Sequence, residues 1–340
     1  MSKMHDFPYY LSKFLTIYLP REAGVSKNTI FSYRDTFLLF LKYSKSQNIL
    51  PENMTLDKFT RELVIEFLSW LEDERKCSIS TRNQRLAALH SFCRFMQLED
   101  VERLNQYQMI ISISKKKGEK ATVNYMSTEA IKLILEQPNA KKISGRRDMV
   151  LLSLMYDTGS RVQEMADLTV GDVRLDAPST VKITGKGGKV RIVPIMNPTA
   201  NIVRNYIADS ELEGNIKQSH PLFPNRSGNK LTRAGIKYIL DKYVESARVK
   251  NPGLLPKVIS PHSLRHSKAM HLLQAGVNLV YIRDILGHAD LKTTEIYARI
   301  DGEMKRKALE EAFTNTIPTE EAPLWQQDGE LLNWLQGLGK

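Results

Sequence analysis

Seven consecutive residues without an apolar side chain, Ser114-Lys115-Lys116-Lys117-Gly118-Glu119-Lys120, interrupt the chain and carry no periodicity. Such a break marks a connector between separately folding parts, and 340 residues is long for one domain and suits two. Ahead of the break the hydrophobic spacing is helical. Ser26 is a good N-cap, and Ile30, Tyr33, Phe37, Phe40 and Leu41 follow on one helix face. Phe59, Leu63, Phe67, Trp70 and Leu71 predict a second helix, and a third opens at Ser80 with Leu86, Leu89, Phe92, Phe95 and Met96. These aromatics read as core. The opposite faces carry Lys27, Arg34, Lys42, Lys45, Arg82, Arg85 and Arg94.

Beyond the break a helix is expected from Ser127, and residues 149–156 form an apolar run ending near Gly159. Val181-Lys182-Ile183 and Val190-Arg191-Ile192-Val193 alternate like strands, with Gly185-Lys186-Gly187-Gly188 as the hairpin turn between them and Pro194 closing the second. Helical spacing returns over 234–247, 265–275 and 280–286. The expected fold is mainly α with one small antiparallel β-sheet. Its expected parts are a helical domain over 1–113, a basic linker over 114–126, an α+β domain over 127–313 and a tail over 314–340. In the tail Leu324, Trp325, Leu331, Leu332, Trp334, Leu335 and Leu338 predict a short apolar-faced helix suited to docking on a neighbouring protomer.

Composition narrows the function. Apolar residues make up 42% of the chain, enough for a sizeable core, and no apolar run approaches the ~18 residues of a membrane span. The first ten residues lack a signal-peptide pattern, which leads to an expectation of a cytoplasmic protein. Cys77 and Cys93 are expected as reduced thiols. The net charge of +11 is uneven: +5 over residues 1–120, +10 over 121–300 and −4 over 301–340. A basic body with an acidic tail favours a polyanionic partner.

Four local patterns carry chemistry. They are Thr158-Gly159-Ser160-Arg161-Val162-Gln163-Glu164, Gly185-Lys186-Gly187-Gly188-Lys189-Val190-Arg191, His262-Ser263-Leu264-Arg265-His266, and Leu286-Gly287-His288-Ala289-Asp290 followed by Thr293-Thr294-Glu295-Ile296-Tyr297. Each has a plainer reading. Arg161 suits a helix start, paired with Glu164 one turn on. His262 and His266 are spaced to bind zinc from one helix face, but Ser263 stands where a zinc protease has its glutamate and no third ligand follows. Asp157-Thr158-Gly159-Ser160 matches an aspartic-protease loop only locally, since that chemistry needs two such carboxylates. The glycine-rich hairpin leads into a strand, so it is not a phosphate-binding loop before a helix.

In their order, the four patterns resemble the tyrosine recombinases, the phage integrase and Xer family. The resemblance covers roughly residues 127–300. It extends weakly to Ser26-Lys27-Asn28-Thr29 with Tyr33 and to Ser80-Thr81-Arg82-Asn83 in the first domain, which look like the family's core-binding helices. It implies a two-domain architecture, a helical core-binding domain followed by an α+β catalytic domain. It places the family's functional residues on Arg161, Lys186, His262, Arg265, His288 and Tyr297, with Tyr297 as nucleophile. Two guanidiniums suit the nonbridging oxygens of a phosphodiester cut without a metal. His262 can donate to that phosphate or accept the tyrosine proton, and Lys186, with Lys189 as the alternative, can protonate the leaving 5′ oxygen. The implied enzyme uses neither cofactor, metal nor ATP. It acts on double-stranded DNA at a specific site, as a homotetramer on two duplexes exchanging strands through a Holliday junction. Lys27, Arg82, Arg85, Lys115, Lys116, Lys117 and Lys268 are expected DNA contacts. The 43 residues beyond Tyr297 favour a mobile-element recombinase over Xer-like chromosome dimer resolution. A type IB topoisomerase and a non-catalytic DNA-binding regulator are the remaining alternatives.

Overall fold

A computed structural model describes residues 6–118, 124–214, 217–288, 290, 292–300 and 335–338. The chain forms two compact units, divided between Ala121 and Thr122. It is mainly helical with one small antiparallel sheet, as expected. Among the described residues no helix is long and apolar enough to cross a membrane.

The first unit is built from α1 (Phe7–Lys13), a π-helical continuation over Phe14–Glu22, α2 (Lys27–Ser46), α3 (Arg61–Asp73), α4 (Ile79–Glu99) and α5 (Leu104–Ile111). Side-chain oxygens of Ser26, Thr60 and Ser78 accept backbone N–H bonds at the starts of α2, α3 and α4, satisfying donors a helix leaves unpaired. The aromatics converge: Phe92 lies 5.2–5.7 Å, centroid to centroid, from Phe7, Phe14, Phe37 and Phe59, all fully buried. α4 starts slightly before the Ser80 expected, because Ser78 supplies the cap. Cys93 is buried in this core and Cys77 half-buried; both are free thiols.

Several cations expected on DNA also bond within this framework. Arg82 is buried; it donates to the Ser114 carbonyl at 3.3 Å and lies 3.7 Å from the Glu72 carboxylate. Half-buried Arg85 donates to the Ser32 carbonyl and the Thr36 hydroxyl, tying α4 to α2. Asn83 exchanges hydrogen bonds with both backbone groups of Lys116, whose ammonium pairs with Glu72 at 2.7 Å. Ser114 and Lys116, at the start of the expected linker, are therefore bonded to the first unit. Lys27, Lys115 and Lys117 remain exposed.

The second unit contains α6 (Thr128–Leu135), α7 (Ile143–Thr158), α8 (Val162–Ala166), β1 (Val173–Arg174), β2 (Thr180–Thr184), β3 (Val190–Pro194), α9 (Asn197–Asp209), α10 (Arg233–Lys250), α11 (Pro261–Gln274), α12 (Leu279–Leu286) and α13 (Lys292–Ile300). The sheet order is β1-β2-β3, antiparallel throughout, with Thr184 opposite Val190 at the hairpin end. Val181, Ile183 and Val193 point inward onto a core built around Val150, Leu151, Leu152, Leu154 and Met155 of α7. A smaller cluster of Ala269, Met270, Leu273, Ile282, Leu286 and Tyr297 joins α11, α12 and α13. α7 stops at Gly159, in the left-handed conformation at φ +56°. A Cβ there would lie 2.6 Å from Leu286 Cδ2, so glycine is required by both φ and space. Of the expected tail helix, residues 324–334 lie outside the described residues; 335–338 form one turn with Leu335 and Leu338 exposed.

Candidate active site

Arg161, the residue before α8, is held by Glu164 one turn on. Glu164 Oε2 accepts from the Arg161 backbone N–H and Glu164 Oε1 from Arg161 Nη1, both at 2.8 Å. Glu164 is buried and also receives Arg191 Nη2 of β3 at 2.7 Å. Burial pushes this carboxyl up, but the hydrogen bonds from Arg191 and Arg161 outweigh it and hold it below the usual range. Arg191 continues to α12, its Nε donating to the Ile285 carbonyl at 2.9 Å. A Cβ on Gly287, at φ +65°, would stand 2.8 Å from Arg191 Nη1. One carboxylate thus fixes Arg161, and the strand arginine it shares braces the turn ahead of His288.

Arg265, one turn into α11, is buried. Its Nη1 donates to the Gly159 carbonyl and its Nη2 to the Leu286 carbonyl, each at 2.7 Å. Burial, then the neighbouring Arg161, lowers its pKa to about 10. It stays charged at neutral pH. His262, three residues earlier, is exposed at one side; partial desolvation on the other, then Arg265 and Arg161, lower its pKa. His288 is lowered to about 4, by burial first and then Arg265 and Arg161, so a neutral imidazole faces the site. Its Nδ1 is 2.8 Å from the hydroxyl of buried Thr294.

Tyr297, on α13, is only 2% exposed. Its hydroxyl lies 2.8 Å from His266 Nδ1, and its ring stacks on His288 at 6.5 Å and 12°. Burial raises the phenol's pKa, outweighing the opposite pull of Arg265 and Arg161. Arg161, His262, Arg265, His266, His288 and Tyr297 line one cavity of about 230 Å³. A larger cleft of about 790 Å³ adjoins it, bounded by Arg161 and His288 on one side and Gly185, Gly187, Lys189 and Arg191 of the hairpin on the other. Lys186 lies in the tight turn at the tip of that hairpin.

Five of the six expected site residues therefore meet at one cavity, and the hairpin carrying the sixth borders the adjoining cleft. Three neighbours were not singled out as site residues. In the sequence Glu164 reads only as a helix partner, His266 only as half of a metal pair, and Arg191 only as a strand residue. Among the described residues, no group of three or more His, Cys, Asp or Glu side chains is arranged to hold a metal ion. Lys268, expected on DNA or in solvent, instead lies 3.6 Å from Asp157 and 5.1 Å from the Tyr156 ring centre, with its side chain 18% exposed. Its flexible stem folds back onto α7 because a half-buried carboxylate and a ring face await it there.

Chemically, Arg161, Arg191 and Arg265 around the Glu164 carboxylate leave an excess of fixed positive charge, suited to an anion with several oxygens. A phenol with a histidine on its oxygen stands beside that anion position. Two family models match: the phage integrase family over residues 124–304 and the phage integrase N-terminal SAM-like domain over residues 13–100. The chain is 32% identical over 340 residues to an integrase/recombinase of Sinorhizobium fredii, covering 99% of this chain and 100% of that one. It is 34% identical over 286 residues to the tyrosine recombinase XerD of Oceanobacillus iheyensis, covering 83% and 91%. Its fold resembles the Tn1549 transposon integrase in complex with transposon right end DNA (TM-score 0.67, 17% identity, 89% of this chain and 97% of that) and the XerH recombinase bound to difH (0.66, 23%, 84% and 80%). The chain belongs to the phage integrase family and is a tyrosine site-specific recombinase.

The histidines are expected to make the fold acid-sensitive. His262, His266, His271 and His288 are all held below the ordinary 6.5, chiefly by burial. The unfolded chain therefore binds more protons than the folded one below pH 6.5, and stability falls as pH falls. The His288 contribution is complete above about 6.5 and is lost as pH drops through about 4. The melting temperature should drop by roughly 3–5 °C between pH 7 and pH 5, and His288→Gln should show a smaller drop. Thermal melts across that range check it; an unchanged melting temperature contradicts it.

Proposed function

We propose that the chain cuts and rejoins DNA at a specific site by two matched transesterifications, with Tyr297 as nucleophile. The observation that carries this reading is the convergence of Arg161, Arg265, His288 and Tyr297, from four separate segments, on one cavity. Arg161 and Arg265 hold the nonbridging oxygens, where charge grows in the transition state. Neutral His288 donates to the same phosphate. With the Thr294 hydroxyl donating to Nδ1, the ring proton resides on Nε2 and is available. The Tyr297 oxygen bonds to phosphorus and the bond to the 5′ oxygen breaks. That oxygen takes a proton from Lys186, with Lys189 the alternative on the same hairpin. The 3′-phosphotyrosyl link conserves the phosphodiester bond energy. A 5′-hydroxyl from a partner duplex then attacks the link and frees Tyr297, so neither ATP nor a metal ion is consumed.

Exposed Lys27, Lys115 and Lys117 would contact the DNA backbone, with net charge +11 adding salt-sensitive attraction. The assembly we propose is four protomers on two duplexes, exchanging strands in pairs through a Holliday junction, with the apolar tail docking on a neighbour. The proposed setting is movement of a DNA element. Supporting it, the similarity to an integrase/recombinase runs over 99% of this chain, against 83% for the XerD relative.

The test is covalent capture. The protein is incubated with a pool of nicked random-sequence duplexes, with and without EDTA, and denaturant-resistant adducts are sequenced. The expected result is an adduct enriched for one sequence and insensitive to EDTA. Absence of any adduct would contradict the function; loss of the adduct in EDTA would return His262 and His266 to a metal role.

A further inference from the structure

We infer that His266, and not His262, accepts the proton of Tyr297 as the phenol oxygen attacks phosphorus. The inference rests on Tyr297 being the nucleophile and specifies the base that activates it.

Geometry separates the two histidines. His266 Nδ1 is 2.8 Å from the reacting oxygen itself, within the range required of a general base. The His262 ring lies beyond, its centroid 6.3 Å from that of His266, and His262 is exposed. It is placed to donate to phosphate. His266 Nδ1 is four residues along α11 from His262 and next to Arg265, so one helical turn divides phosphate binding from proton transfer.

The charges around His266 make the base conditional on DNA. His262 and Arg265 face it on α11, Arg161 lies across the cavity at the start of α8, and His288 and Tyr297 face it from the α12–α13 end. Burial, then His262 and Arg265, hold its imidazole unprotonated, while burial holds the proton on the phenol. In the empty site, moving the proton would place an imidazolium among cations. A phosphodiester brings one negative charge to the two arginines, and the attacked phosphorus carries more. That charge offsets Arg161 and Arg265 and raises the proton affinity of His266 as the Tyr297 oxygen forms its bond to phosphorus. The proton moves from Tyr297 Oη to His266 Nδ1, and the leaving 5′ oxygen is protonated from the hairpin. In the second step His266 returns its proton to the departing phenolate, by microscopic reversibility.

A duplex recovered by covalent capture, remade with sulfur in place of the bridging 5′ oxygen, isolates this step. A thiolate leaves without a proton, so only activation of the nucleophile remains visible. Single-turnover adduct formation by wild type should rise with pH and then level off. His266→Asn keeps a polar group near the Nδ1 position but accepts no proton. It should react about 100-fold more slowly at pH 7, bind the duplex within about twofold, and gain about tenfold in rate per pH unit to pH 9. His262→Asn should be slower than wild type yet keep the plateau. Wild-type speed and plateau in His266→Asn would overturn the proposal while leaving Tyr297 as nucleophile, as would a plateau lost only in His262→Asn. Should the Asn variant fail to fold, the wild-type profile decides: a rate climbing tenfold per unit throughout overturns the proposal. Absence of any wild-type adduct would overturn this inference and the proposed function together.

Discussion

Tyr297→Phe should form no covalent adduct, a fall of at least roughly 10⁴-fold, while binding the captured duplex within about threefold of wild type. The substitution keeps the ring that packs with Met270 and Leu286 and the stacking on His288. It removes one heavy atom, the hydroxyl oxygen bonded to His266. Losing that bond leaves a partly buried imidazole nitrogen short of a partner, at a cost of about 1 kcal/mol, so the variant should fold. Adduct yield on denaturing gels and affinity by filter binding measure both halves. An adduct persisting in the variant contradicts the assignment of the nucleophile.

Arg265→Ala should reduce cleavage by roughly 10³-fold or more and also destabilise the second unit. In the proposed mechanism the guanidinium is aimed at the transition state, but it also holds the carbonyls of Gly159 and Leu286. Each carbonyl left unpaired costs about 1–3 kcal/mol, and both lie where α7 and α12 end. Arg265→Lys separates the roles. A lysine keeps the charge yet presents a single nitrogen, which cannot span two carbonyls and a phosphate. It should bind DNA within about threefold of wild type and still cleave roughly 100-fold more slowly. Single-turnover rates, affinities and melting temperatures distinguish the outcomes. Equal losses in binding and rate for Arg265→Lys would make Arg265 an anchor for DNA rather than a stabiliser of the reaction.

Much of this architecture was legible in the sequence because local rules and tertiary needs agree. The caps at Ser26 and Ser127, the alternation in Val181–Ile183 and Val190–Val193, and the glycines of the hairpin each name their own element. Gly159 marks the end of the apolar run ahead of Arg161, while the matching left-handed stop at Gly287 ahead of His288 emerges only in the structure. What stayed hidden depends on distances between segments. His266 is four residues from His262, a spacing that equally suits a metal pair, and only the placement of α13 shows which imidazole meets the phenol. Arg82, Arg85 and Lys268 sit at positions compatible with solvent, but their long stems turn inward to Ser114, Ser32 and Asp157. The stretch from Phe14 to Glu22 has no counterpart among the expected elements; it continues α1 in π-helical turns with Pro20 inside. Glu164 was recognisable as Arg161's partner one turn on; its second partner, Arg191, comes from a strand 27 residues away.

The central claim is that Tyr297 becomes joined to DNA. The most direct measurement is tandem mass spectrometry of the captured adduct after nuclease and protease digestion. The account predicts a tryptic peptide containing Tyr297 that carries a nucleotide through its 3′-phosphate, with fragment ions placing the added mass on that tyrosine. Attachment at Tyr281, at any other residue, or through a 5′-phosphate would contradict it.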